Sequence, residues 1–344
     1  KWSWRFIMSE FKVNTITNRD GSYGPQICGI TTFRSSGMTL PSGPTEFRGG
    51  RGRGVIGSGQ LIPSSTGVNT LNLITIATTG DATDFGDLTY GKAYRNGLAS
   101  STRGIFTNGQ SDQTYDYVTI SSGGGANDFG EAPTDHQSGS TFNDSVRGFN
   151  AGGSEPAHTS NIRGMIIAST GSFYDAGDLT QAGVYMSGAS SPTRGISFGG
   201  AVPSTTTKNI EVFTMASGGN AIKFGELITA RKYADTSGNS IRALAAGGEG
   251  PSSNLDSIEF VTIATDGNGT DFGDISSATS TGKNGVVSSA TRGIFAGFYP
   301  ASGGDKRMDF VTITSAGNAQ DFGDLTTAAY YTGGCSDSNG GLAQ

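Results

Sequence analysis

A chain of 344 residues is long enough for one large domain or two ordinary ones, with a substantial buried core. Its 56 glycines run without a Gly-X-Y period, which excludes collagen, and short alternating apolar runs such as "LNLITIAT" exclude wholesale disorder. A net charge of −6 argues against non-specific nucleic-acid binding, and no apolar run approaches the roughly 18 residues of a membrane span.

In chain order, "KWSWRFI" precedes Met8 and lacks the apolar centre of a secretory signal, while "MSEFKVNTIT" from Met8 reads as a natural beginning. Residues 1–50 are expected to form an extended β arm. At its end "FRGGRGRG" (47–54) has the look of an RGG nucleic-acid segment, but the protein is acidic and a linker is the better reading. Cys28 and Cys335 lie near opposite ends, so they make neither a disulfide scaffold nor a CxxC metal site. Buried or free thiols are expected, with pairing left open if the ends meet.

From residue 51 the chain is periodic. Arg-Gly or a close variant opens an apolar run at Arg53, Arg103, Arg147, Arg194, Arg242 and Arg292, at intervals of 44 to 50 residues. A second landmark, "DFGDL" or a variant, keeps step through Gly86, Gly130, Gly177, Gly225, Gly273 and Gly323. Each repeat offers four short strand candidates bounded by Gly, Asn, Ser or Asp, and no window sustains a 3.6-residue period. Four strands in just under 50 residues, six times over, is the arithmetic of a β-propeller blade. The first repeat starts at a second strand, and "TTAAYYTGGCSDS" (326–338) follows the last as an inner strand without a blade of its own. The expected fold is all-β, a six-bladed propeller over 51–344 closed by that C-terminal strand, which removes an exposed edge.

The runs ending in Gly-Gly ("SFGG" 197–200, "LAAGG" 244–248), the alternating strand after them, the aromatic near the fourth strand and "TAR" (229–231) resemble the kelch family. The resemblance covers about 51–337. Kelch repeats usually carry Trp at the aromatic position, whereas this chain has Phe85, Phe129, Phe224, Phe272 and Phe322, with Ala176 in the third copy. The resemblance implies a fold and no particular activity. Kelch-type oxidases hold copper, and two histidines leave little to build such a site.

The recurring residues have structural explanations. Phe gives each outer strand an apolar wedge against the next blade, and the following Gly permits a bulge or close backbone approach. Asp87, Glu131, Asp178, Glu226, Asp274 and Asp324 follow that Gly, so an ion pair with the repeat arginine is expected to hold the blades in register. The preceding acid (Asp84, Asp128, Asp175, Asp271, Asp321, with Lys223 in the fourth copy) is an alternative partner.

No catalytic, cofactor or metal constellation emerges. Asp-Phe-Gly matches a kinase metal motif, but it repeats, and no HRD loop accompanies it. "GDLTYGK" (86–92) lacks the Ser/Thr of a phosphate loop, and "GRGVIG" (52–57) lies in a strand. Asp266 and Asn268 have calcium-loop spacing without the loop's Gly or final Glu, so a self-capped turn is expected. Asp135, His136 and His158 fall in loops with no serine elbow nearby.

Function is therefore sought on surfaces. Loops after the repeat-opening strand vary most ("QLIPSSTG" 60–67, "SEPAHTSN" 154–161, "AVPSTTTK" 201–208, "EGPSSN" 249–254, "YPASGGDKR" 299–307), and topology puts them on one face with the inter-blade connections. In the arm, "MSEFKVNTITNRDGSYGPQICGITTFRSSGMTLPSG" (8–43) resembles the start of structural proteins of marine bacteriophages, especially those of cyanobacteria. That resemblance implies a virion location, docking to other virion proteins through residues 8–50, and homo-oligomerisation. The expectation is a non-enzymatic virion structural protein, a capsid decoration or tail or fibre appendage. Its variable-loop face would be available for a host-surface glycan or protein, with no nucleic acid and no membrane insertion. The alternative is an extracellular bacterial carbohydrate-binding or hydrolytic propeller.

Overall fold

The computed structural model describes residues 52–338 apart from 58, 62–63, 65, 108, 135–136, 155–156, 280–284 and 299–304. All of these belong to the unit Thr45–Gln344. The expected arm, Cys28, Asp135 and His136 lie outside the described residues.

The described residues form six four-stranded antiparallel sheets and one small hairpin, with no helix among them. The protein is a six-bladed β-propeller. In the second blade the strands run Gly97–Ala99, Arg103–Phe106, Thr114–Thr119 and Asn127–Glu131 from the axis outwards. The innermost strands of the third to sixth blades are Ser140–Asn143, Ser187–Ser190, Asp235–Gly238 and Gly285–Ser288. In the first blade, Arg53–Gly57 pairs on its inner side with Gly333–Ser336, Val55 lying opposite Cys335. Cys335 is buried and free, and its burial pushes the thiol well above the usual range.

Each interface between neighbouring blades holds one apolar cluster, because each blade buries both faces. Phe85 packs with Phe106, Val118 and Ile120 of the second blade, and Phe272 with Phe295, Val311 and Ile313 of the sixth. In the third blade, Ala176 takes the wedge position, while Phe173 turns back to meet Tyr115 and Phe129 edge-on at 4.9 and 5.7 Å.

The wedge residue is the extra residue of a bulge in every blade. In the first, Leu71 pairs with Gly86 but Asn72 pairs with Asp84, and the same shift recurs in the other five. The glycine after the wedge stands against the turn of the next blade: a Cβ on Gly177 would lie 2.0 Å from the Gly219 carbonyl oxygen, and its φ is +136°. Only a residue without a side chain fits there. The bulge frees backbone groups that bond across the interface, Gly124 N to Phe85 O at 2.8 Å and Ala126 N to Asp87 O at 2.7 Å. The sixth blade meets the first in the same way, Gly80 N to Phe322 O at 2.7 Å and Ala82 N to Asp324 O at 2.8 Å.

The repeated acids do not pair with the repeated arginines. Each arginine starts a second strand at one end of its blade and reaches forward to the next blade's backbone. Arg53 donates to Ile120 O and Ser121 O at 3.1 and 2.9 Å, Arg103 to Ile167 O at 3.0 Å, and Arg242 to Ile313 O at 3.0 Å. Arg292 closes the set on Ile76 O and Ala77 O of the first blade. The carboxylates after the glycine stand exposed at the far end of the outer strand. Antiparallel polarity separates the two by a strand length. Acids two residues before the glycine cap the bulge instead: Asp84, Asp128 and Asp175 accept from the N–H of Gly86, Gly130 and Gly177.

A second recurring device carries polar chemistry into the core. The middle of each third strand holds a buried polar residue: Asn72, Asp116, Arg163, Glu211, Glu259 and Asp309. Each meets the connection leaving the preceding blade. Glu211 accepts from Thr180 N at 2.8 Å and Thr180 Oγ1 at 2.6 Å, and Asp309 from Ser276 N at 3.0 Å. Asn72 accepts from Thr326 N at 3.0 Å, latching the sixth blade to the first.

Candidate functional site

Entering each inner strand, the chain must turn sharply from the rim towards the axis. Five described residues at this turn take the left-handed conformation: Tyr94, Ser138, Tyr185, Tyr233 and Tyr331, with φ between 58° and 62°. For a non-glycine residue that backbone costs about 1–2 kcal/mol, and a bulky residue there is uncommon. The conformation is held by a collar of bonds between neighbouring blades. Tyr94 N donates to Tyr331 O at 3.2 Å, Tyr185 N to Ser138 O at 2.8 Å, and Tyr233 N to Tyr185 O at 3.0 Å.

The four phenol rings gather over the axis. Tyr94 stacks on Tyr331 with centroids 4.0 Å apart, Tyr185 on Tyr233 at 4.1 Å, and Tyr233 lies 6.5 Å from Tyr331. All four are half-buried. Burial, and then hydrogen bonding with Tyr185, pushes the Tyr233 phenol far above the usual tyrosine range, so it keeps its proton throughout neutral pH.

The variable loops are wired to this collar. Gln60 exchanges backbone bonds with Tyr330 at 2.9 and 3.1 Å and its side chain meets the Tyr330 hydroxyl at 3.1 Å. Lys232 pairs with Glu249 through the backbone at 3.0 and 2.8 Å and through an ion pair at 3.0 Å. Val184 bridges to Ala201, Gln137 to Ser154, and Gln110 N donates to Ala93 O at 3.0 Å. The residue before each collar position thus anchors the loop that follows the repeat-opening strand. One face carries both the aromatic rings and the sequence variety.

Beneath the collar the axial cavity is small, about 100 Å³. A Cβ on Gly97 would lie 1.7 Å from the Gly334 carbonyl oxygen, so the inner strands approach as closely as backbone allows. Thr141 Oγ1 donates to Gly97 O at 3.3 Å and Thr236 Oγ1 to Gly188 O at 2.6 Å, bracing the strands around the axis.

The residues singled out from the sequence serve the frame. The repeat phenylalanines are core, the arginines stitch blades on the opposite face, and the repeat acids point to solvent. Asp266 and Asn268 are engaged by Arg194 Nη1 at 2.8 Å and Glu226 N at 3.0 Å. Among the described residues, no group of three or more His, Cys, Asp or Glu is placed to hold a metal ion. The tyrosine collar was missed, although it has a signal: Tyr94, Tyr185 and Tyr233 each stand nine residues before a repeat arginine.

Fold and collar define a six-bladed propeller with one aromatic, loop-rich face. No family model matches the chain, and no curated protein matches it. Among solved structures, one described as "Structure of YjhT" is similar with a TM-score of 0.59, over 71% of this chain and 87% of that one, at 10% identity. Likeness at that identity is likeness of fold.

Proposed function

We propose that the protein is a non-enzymatic structural protein of a bacteriophage virion, a capsid decoration or a tail or fibre appendage, that presents a recognition propeller. The observation that carries the recognition part is the tyrosine collar, with four half-buried rings fixed on the face to which the variable loops are bonded. Rigid aromatic rings beside adaptable polar loops are the composition of binding surfaces. The virion part is supported by the resemblance of residues 8–43 to phage structural proteins. In this reading residues 8–50 dock to other virion proteins and mediate self-association, and the propeller faces outward to the host surface. The blades are read as kelch-like repeats, and the strand Gly333–Ser336 as the clasp that closes the ring. A second reading, an extracellular bacterial carbohydrate-binding propeller, draws on the same aromatic face.

Light scattering and particle binding of the full chain against residues 45–344 test the proposal. The shorter chain is expected to remain folded, to become monomeric and to lose attachment to particles. Two identical monomers without affinity for particles would sink the virion reading.

A further inference from the structure

Resting on the recognition reading, we propose that the tyrosine collar is a binding site for a neutral saccharide, one pyranose ring lying on the phenol rings above the axis. Three observations lead there. Each close-packed pair covers its two inner ring faces and leaves half-buried outer faces, apolar and edged with hydroxyl groups. A pyranose offers the complementary shape, a C–H face that stacks on an aromatic ring and equatorial hydroxyls that bond phenols.

Second, the rings are fixed before any ligand arrives. Their left-handed backbones are tied blade to blade through Tyr94 N, Tyr185 N and Tyr233 N. Little ordering remains to be lost on binding, which favours a weakly interacting ligand such as a sugar.

Third, the rim is balanced in charge and polar. Lys232 and Glu249, beside Tyr233, neutralise each other at 3.0 Å. Gln60 adjoins the stack through Tyr330, itself 4.5 Å from Tyr331.

The test uses the full chain with methyl glycosides of glucose, galactose, mannose and N-acetylglucosamine, read by saturation-transfer NMR. At least one glycoside is expected to receive saturation at its ring C–H protons. Tyr94→Asn and Tyr233→Asn are expected to weaken its binding about tenfold, the scale of one lost stacking contact. Asparagine tolerates the left-handed backbone, so both variants should keep a folded thermal transition. Tyr90→Asn, an exposed tyrosine outside the collar, should bind as the parent does. No transfer to any glycoside, or undiminished binding in both folded collar variants, would overturn the proposal. Adhesion of the full chain to cells that survives such a result would show that the recognition reading stands and that its ligand is not a neutral sugar.

Discussion

Replacing Glu259 with alanine is expected to destabilise the folded protein by about 3–5 kcal/mol, the cost of leaving a buried charge without its partner. Glu259 is 2% exposed and accepts hydrogen bonds from Ile228 N at 2.6 Å, Thr229 N at 3.1 Å and Arg231. Arg231 is fully buried, and desolvation pushes its pKa down while Glu259 opposes that shift. Without the carboxylate, the guanidinium keeps carbonyl partners at Ser257 and Gly247, 2.8 and 3.0 Å away, but no counter-charge. Two backbone N–H groups of the connection between the fourth and fifth blades lose their acceptor as well. Urea denaturation of Glu259→Ala, of Glu259→Gln and of the double variant Arg231→Met/Glu259→Leu separates the terms. The amide keeps an acceptor and should cost less, and the apolar pair should recover most of the loss. A single-variant cost below about 1 kcal/mol would mean that the latch carries no weight.

Truncation after Thr332 is the second large effect. It removes the inner strand of the first blade, the ladder from Gly54↔Ser336 to Gly57↔Gly333, and the buried side chain of Cys335. It also removes Asp337, whose carboxylate accepts from Arg53 N at 2.9 Å, and Ser336, whose hydroxyl donates to Ser288 O at 2.8 Å. Four strand residues at about 0.5–1.5 kcal/mol per lost bond, plus the uncovered apolar edge, amount to a loss on the order of 4 kcal/mol. The first and sixth blades remain joined through Gly80, Ala82 and Thr326, so the expected outcome is a lower, broader thermal transition and not an unfolded chain. Truncation after Ser338 is the control and should match the parent. Equal stability of the two truncations would contradict a clasping role for this strand.

The repeat frame was legible because it rests on two independent landmarks, arginine and Phe-Gly, each fixed by a steric demand that recurs at every interface. The latch was not, because its six positions carry four residue types: Asn72, Asp116, Arg163, Glu211, Glu259 and Asp309. The signal lay in phase and not in identity, one polar residue inside each alternating apolar run, as in "LNLITI", "IEFVTI" and "MDFVTI". Pairing arginine with the repeated acid failed for a related reason. A period says that two residues recur together, while strand polarity decides whether they share an end of the blade. The collar is faint in the sequence because Ser138 breaks the residue type and Tyr331 precedes no repeat arginine, so the nine-residue spacing marks only part of a set that the shared positive φ completes.

Hydrogen–deuterium exchange of the full chain, alone and with cyanobacterial outer-membrane vesicles, addresses the recognition claim most directly. Slower exchange at the amides of Tyr94, Tyr185 and Tyr233 and in the loops bonded to them, with the arginine face unchanged, is the predicted result. Protection confined to the turns that receive the arginines, around Ile76, Ile120 and Ile313, would contradict it and move recognition to the opposite face.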